Sequence, residues 1–270
     1  MNARFENSQE ITKISLLNDY ELLGSLRLVA EKYNTSHAVV SSMMRRFGIV
    51  YKSNNHGNLP VNHDFFSNDT LKSCYWAGFI AADGCVFKNQ VRLALAEKDI
   101  DHLRLFKKDL GSEHKLTRVE SENSVCYSFA FCSPKMVVDL QRFGILPRKT
   151  KILKFPNIQQ DMLSAFCRGY FDGDGCWAIH KAKSRPNHKG QMVFSTRGTE
   201  DFLRGMNSCF VEYGGLPDRC LEKSLNGWRT SLLQYNGNNI CRQIANWLYS
   251  DIIDSDRYLR RKFDIVKDIL

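Results

Sequence analysis

The sequence predicts an α+β fold: a tandem, pseudo-twofold αββαββα duplication preceded by a small helical domain. Three observations lead there. An apolar segment ending in Asp-Gly-Cys occurs twice, as CYWAGFIAADGCV over 74–86 and CRGYFDGDGCWA over 167–178, so that Asp83 and Asp174 lie 91 residues apart. After each copy the hydrophobic pattern runs through the same order of helical and strand-like periods. Ahead of both copies the pattern is helical alone.

Residues 20–33 (YELLGSLRLVAEKY) place Leu22, Leu23, Leu26, Val29, Ala30 and Tyr33 at spacings of three and four, which predicts one helix. Asn34-Thr35-Ser36 interrupts it. A second apolar run, with Ala38, Val39, Met43 and Met44, ends at Phe47 before Gly48, a usual helix stop. Counted from the small residue Ala30, Asn34 falls in the turn, while Val40 and Met43 fall at buried positions. This spacing resembles a helix-turn-helix, with Asn tolerating the left-handed turn. Its second helix, 36–47, would offer Ser36, His37, Ser41 and Ser42 to bases and Arg45 and Arg46 to phosphate. A plain helical hairpin is the alternative. Residues 1–50 are therefore read as one domain, and 51–68, rich in Asn, Gly, Ser and His, as a linker.

The first repeat, 69–158, continues with strands at 86–88 and 91–96, a helix at 99–110, strands at 115–120 and 125–132, and a helix at 134–143. The second, 159–270, has strands at 177–180 and 192–196, a helix at 200–213, strands at 220–224 and 228–235, and a helix at 239–249. Alternation turns Val91, Leu93 and Leu95 to a core and leaves Arg92, Ala94 and Ala96 outward. Ser195 and Arg197 likewise share an outward face, where Arg suits guanine or phosphate. Lys181, Lys183 and Arg185 fall between two strands, either as a loop reaching phosphates or as a solvated hairpin tip.

Read as helix ends, WAGFIAADG and CRGYFDGDG carry small residues on one face, Gly78 and Gly169 among them, that let two backbones approach closely. Gly84 and Gly175 suit a left-handed C-cap. Packing the copies against each other brings Asp83 and Asp174 side by side. Two adjacent like charges are costly unless a cation neutralises them. Carboxylates with few His ligands suit Mg²⁺, whose remaining shell is water and substrate phosphate, and such ions act on phosphodiesters. Two symmetry-related acids imply two cuts, one per strand of a duplex.

At these residues the chain resembles the LAGLIDADG homing endonucleases of the single-chain, two-motif type, over about residues 68–270. The resemblance implies two saddle-shaped antiparallel sheets along the DNA major groove, with cleavage across the minor groove of a long, weakly symmetric double-stranded target. It further implies Mg²⁺ or Mn²⁺ held by Asp83 and Asp174, with Ala82 and Gly173 beside them. A catalytic Lys in each half is also implied. By position after the last helix of each repeat these are Lys149 and Lys262. The sequence departs from the family at Ala81, where an acid is frequent and where the second copy keeps Asp172; that position belongs to the helix rather than to the metal site. A duplicated chain supplies its own twofold axis, so a monomer is expected. Some members of the family are maturases acting on intron RNA, and a transcription regulator on the same fold is the other alternative, although a regulator has no need to retain both acids.

Composition agrees. With 38 Lys+Arg against 29 Asp+Glu the 270-residue chain carries a formal charge of +9, which favours a polyanionic partner. The apolar run 75–82 falls far short of the ~20 residues a membrane-spanning helix needs, and the start MNARFENSQE shows no secretory signal. Nine cysteines without a C-x-x-C pair argue against a thiolate zinc module and read as reduced, small core residues in an intracellular, reducing compartment, the cytoplasm or an organelle matrix. FDGDGC also resembles the D-x-D-G loop of aspartate-nucleophile phosphatases, but that motif follows a strand, and here it ends a helical run.

Overall fold

The computed structural model describes residues 11–49, 59–122, 124–181, 190–223 and 230–270. The chain divides into two compact units, Met1–Asn55 and His56–Leu270.

Among its described residues the first unit holds α1 (Lys13–Leu23), α2 (Leu26–Lys32) and α3 (His37–Arg46), closed around Leu16, Leu26, Val29, Ala30, Val40, Met44 and Ile49. The continuous helix expected over 20–33 is thus two helices. Gly24 ends α1 in the left-handed conformation (φ 64°), and the Ser25 side chain caps α2 by accepting from the Arg27 N–H. A Gly-Ser pair offers a stop and a start at once, and these outweigh a periodicity that runs on across them. Helix α1 also begins earlier than the apolar spacing suggested, at a Thr12/Ser15 capping box. Asn34 does turn left-handed, with φ 47°. Val40 is buried as expected, but the second buried residue of α3 is Met44, with Met43 half-buried beside it.

The second unit opens with α4 (Leu71–Asp83), β1 (Gly84–Phe87), β2 (Gln90–Ala96), α5 (Ile100–Asp109), β3 (Thr117–Ser121), β4 (Ser124–Cys132) and α6 (Pro134–Gln141). It repeats with α7 (Leu163–Asp174), β5 (Gly175–His180), β6 (Gln191–Gly198), α8 (Glu200–Glu212), β7 (Glu222–Lys223), β8 (Ser231–Asn236) and α9 (Asn238–Leu248), and closes with α10 (Ile252–Ser255) and α11 (Arg260–Val266). The last two are too short for periodicity to announce them. Each repeat forms an antiparallel four-stranded sheet, in the orders β1-β2-β4-β3 and β5-β6-β8-β7. Strand β2 follows the expected alternation: Val91, Leu93 and Leu95 are buried, while Arg92 and Ala96 are exposed and Ala94 half-buried.

Helices α4 and α7 are buried on every side from Ser73 to Ala81 and from Leu163 to Asp172, as befits elements at the centre of a core. Their contact requires glycine. A Cβ on Gly78 would lie 2.0 Å from the Phe166 carbonyl oxygen, and one on Gly169 would lie 1.9 Å from that of Tyr75. Gly84 and Gly175, expected as left-handed caps, are extended instead (φ −82° and −94°) and start β1 and β5. Glycine is needed there because the chain doubles back on its own helix: a Cβ would meet Ile80 Cγ2 at 2.6 Å or Phe171 Cδ2 at 2.0 Å.

Two further expectations are corrected. The second half of the stretch read as linker packs on the first repeat: Phe66 is buried in its core, Asn62 N–H donates to Leu110 O at 2.8 Å, and Arg142 Nη2 donates to Phe66 O at 2.9 Å. An aperiodic segment can be ordered when its backbone finds partners elsewhere. All nine cysteines are free, but only Cys74, Cys167, Cys209 and Cys241 are core residues; Cys85, Cys132, Cys176 and Cys220 are exposed, three of them on outward strand positions that one-dimensional hydropathy cannot distinguish. Among the described residues no helix is long and apolar enough to cross a membrane.

Gly78→Ala is expected to destabilise the second unit by about 3 kcal/mol, since the added methyl meets backbone that cannot move aside. Gly24→Ala, with open space but a left-handed φ, should cost the first unit only about 1 kcal/mol. Urea unfolding of each variant, followed by a probe in the altered unit, tests both.

Candidate active site

Asp83 and Asp174 are the last residues of α4 and α7, so the glycine contact that joins the helices also joins the acids. A Cβ on Gly173 would lie 2.3 Å from Ala82 Cβ and 3.5 Å from the Asp83 carboxyl carbon. The absence of that Cβ is what lets the two helix ends touch. Neither carboxylate accepts a hydrogen bond or forms an ion pair among the described residues, and each is exposed along one side. Protein on the other sides strips hydration, which raises Asp174 to about 6; the like charge of Asp83 adds to this, while Lys149 and Lys262 oppose it. Asp83 is raised by the same loss of hydration, held back chiefly by Lys262 and Lys149.

The two lysines predicted from position are both buried here. Lys149 is 8% exposed and donates from Nζ to Ala82 O at 3.2 Å. Lys262 is 4% exposed and donates to Phe171 O at 2.7 Å, Asp172 O at 2.7 Å and Gly175 O at 2.5 Å. Its ammonium thereby occupies the carbonyl-rich, negative end of α7, where a helix leaves acceptors unsatisfied. Burial lowers both lysines, Lys262 to about 8, with Asp174 opposing the shift at Lys149 and Asp172 at Lys262. The result is two similar clusters, Lys149 at the end of α4 and Lys262 at the end of α7, flanking one acid pair.

Ala82 and Gly173 present carbonyls to this site. Each accepts from a lysine, at 3.2 Å and 3.4 Å, and each retains a second lone pair. Among the described residues no group of three or more His, Cys, Asp or Glu converges on a point. Two acceptor-only carboxylates, lacking any donor and repelling one another, fit a hard divalent cation that keeps water and phosphate in its shell; they do not fit zinc, which takes His and Cys.

Asp172 stands apart from this pair. It is 1% exposed, and its Oδ2 accepts from Tyr75 OH at 2.8 Å and Leu259 N–H at 2.7 Å. Burial raises it to about 6. It is a tether between the repeats, as its place inside the helix suggested. The sequence reading missed the rest of that tether. Arg257 pairs with Asp109 (2.5 and 2.6 Å), which also accepts from Trp76 Nε1 at 2.7 Å. Arg261 pairs with Asp99 (2.8 Å), and the wholly buried Arg168 pairs with Asp251 (2.8 Å). The first two pairs clamp the chain end onto the first repeat and so hold Lys262 in register. Arg257 and Arg261 lie in a basic run that reads as solvated surface; only the fold supplies their partners.

Of the residues predicted to face DNA, Arg197 comes to the site itself, lining with Asp174, Lys149 and Tyr170 a cavity of about 220 Å³. Ser195 is half-buried on the same strand, and Arg92 lies outward on the other sheet, donating from Nε to Ser128 Oγ at 2.9 Å. Lys181 is exposed at the end of β5; Lys183 and Arg185 lie outside the described residues. In the first unit His37, Arg45 and Arg46 are exposed. Ser36 is the N-cap of α3, its hydroxyl accepting from the Val39 N–H.

Since Asp174 must be ionised to hold a cation, Mn²⁺ or Mg²⁺ affinity is expected to fall about tenfold per pH unit below pH 6 and to level above it. A carboxyl raised above its ordinary 3.8 on folding costs the metal-free protein stability as pH rises through about 6, and bound cation should restore it. Calorimetric titration from pH 5 to 7.5 tests this, and a flat affinity profile would contradict it.

No protein-family model and no curated protein sequence matches this chain. Solved structures with a similar arrangement do exist. The I-SmaMI LAGLIDADG homing endonuclease bound to cleaved DNA is 15% identical, with a TM-score of 0.47 over 73% of this chain and 87% of its own. The I-LtrWI LAGLIDADG homing endonuclease bound to target DNA is 14% identical (TM-score 0.44; 77% and 89% covered). The LAGLIDADG meganuclease I-AabMI bound to uncleaved DNA is 14% identical (TM-score 0.40; 74% and 98% covered).

Proposed function

We propose that this chain is a site-specific DNA endonuclease that hydrolyses one phosphodiester on each strand of a duplex with Mg²⁺ or Mn²⁺. The observation that carries the reading is the acid pair: two carboxylates without donors, pressed together at the ends of two helices, each helix end carrying its own buried lysine. A structural carboxylate pair would be neutralised by hydrogen bonds, as Asp172 and Asp109 are.

Asp83 and Asp174 would hold the cation, which when bound supplies an activated water and charge neutralisation at phosphorus. Lys149 and Lys262 place positive charge near where the pentacovalent phosphate would form, and Lys149, which donates to a single carbonyl, keeps N–H groups to orient the attacking water. Arg197, at the edge of the same cavity, is suited to hold the phosphate in place. The paired sites predict a monomer acting on double-stranded DNA. In the first unit α2 and α3 serve as a helix-turn-helix, with His37 toward bases and Arg45 and Arg46 toward phosphate.

Asp83→Asn and Asp174→Asn are each expected to lower double-strand cleavage by about a thousandfold, with EDTA abolishing it in the wild type; a plasmid library spanning candidate targets supplies the substrate. Lys149→Met and Lys262→Met should lower the cleavage rate by about tenfold or more while leaving affinity unchanged, in keeping with an interaction made only in the transition state. If the duplex is bound tightly and specifically but never cut, the chain is a regulator. For the first unit, Arg45→Ala with Arg46→Ala should flatten the dependence of log affinity on log salt by about two, one per lost phosphate contact. An unchanged slope would leave α2 and α3 a plain helical hairpin.

A further inference from the structure

The open faces of the two sheets both start at the acid pair, because Cys85 and Cys176, two residues beyond each Asp, are the first outward side chains of β1 and β5. The inner faces are alike. Val91, Leu93, Phe129 and Phe131 fill one, and Phe194, Leu233 and Tyr235 fill the other. The outer faces, which packing leaves unconstrained, differ at their centres.

On the first sheet Ala94 lies across from Ser128, Ala96 from Cys126 and Arg92 from Ala130, and Val119 extends the row onto β3. Phe87 is 61% exposed at the far end of β1. The cation of this face, Arg92, directs its Nε to Ser128. Small groups therefore make up its centre, with Gln90, Thr117, Ser121 and Ser124 along its margins. On the second sheet Ser195 lies across from Gln234, Arg197 from Leu232 and Val193 from Asn236, while Gln191, the counterpart of Gln90, pairs with His180 at the other end. Gln234 Nε2 donates to Asn236 Oδ1 at 3.2 Å, which fixes one amide against the next.

The two surfaces match different features of the major groove. The thymine 5-methyl group is read by apolar contact from residues such as Ala and Phe, whereas purine N7 and its neighbouring exocyclic group are read by Gln, Asn and Arg. Resting on the placement of a duplex across these faces in the endonuclease reading, we propose that the two halves of the target are read by different chemistry. The first sheet selects a thymine-rich half-site through methyl contacts. The second selects purines through Gln234 and Asn236.

The test uses the full chain and the duplex that it enriches from a randomised DNA pool. The half-site whose base preference relaxes on Gln234→Ala belongs to the second sheet. Replacing thymine by uracil removes only the methyl, and replacing purines by 7-deazapurines removes only the N7 acceptor. Uracil in the first half-site is expected to weaken binding about tenfold and in the second less than about twofold, with 7-deazapurines showing the reverse, as loss of a few base contacts implies. Equal effects in both halves, or the opposite polarity, would overturn the proposal. Should no DNA be enriched, both this inference and the endonuclease reading fall. A duplex bound but left uncut would remove the endonuclease reading alone, and the same affinities would still decide the mode of readout.

Discussion

The close approach of α4 and α7 is the constraint on which everything else rests. Each helix presents a glycine to the other's backbone, so the axes come nearer than any side chain would allow, and an added Cβ would stand 1.9–2.0 Å from a carbonyl oxygen. One turn further on, Gly173 repeats the device against Ala82. The helices end there, and the residues that end them are aspartates. Backbone proximity is thereby converted into charge proximity.

Burial raises both carboxyls, the charge of Asp83 adds to the shift at Asp174, and the protein offsets this without neutralising them. It places ammonium groups nearby but directs their hydrogen bonds elsewhere: Lys149 to Ala82 O, Lys262 to the carbonyls that terminate α7. The acids are left with attractive field and free lone pairs. A divalent cation would relieve the repulsion between them, which is why the proposed endonuclease reading assigns one there. Structural acids in the same unit are treated differently. Asp109, Asp251 and Asp172 are each tied to arginine, tyrosine, indole or backbone donors, and the ties at Asp109 and Asp99 hold the chain end, with Lys262, across the first repeat.

Duplication explains both the likeness and the difference between the halves. The αββαββα order, the strand order and the Asp-Gly-Cys junction are common to both, because the helix pair and the two cores demand them. Outer-face residues meet no such demand, and there the repeats diverge at the centre, Ala94 and Ser128 on one sheet against Ser195, Gln234 and Asn236 on the other. Position 81/172 diverges for a physical reason too: Asp172 finds Tyr75 and Leu259 as donors within the core.

How much of this was legible in one dimension follows from how far each interaction reaches. The repeat, the strand alternation around Val91–Leu95, the glycine helix faces and the two aspartates were all readable, since periodicity and a doubled motif are local properties. Lys149 and Lys262 were reached by their place after the last helix of each repeat, by family resemblance rather than by local chemistry. Gly24-Ser25 was a readable break that apolar spacing concealed. The conformation of Gly84 and Gly175 depended on the following strand folding back over the helix, and the packing of residues 59–68 depended on partners at Leu110, Ser133 and Arg142. Arg257 and Arg261 acquire meaning only from Asp109 and Asp99, some 150 residues away in the chain. The sequence by itself determined the duplicated architecture and the acids it carries. Tertiary structure alone decided that those acids meet without hydrogen-bond partners and which distant arginines hold the lysine beside them, because charge and hydrogen bonding act through space and leave no period in the chain.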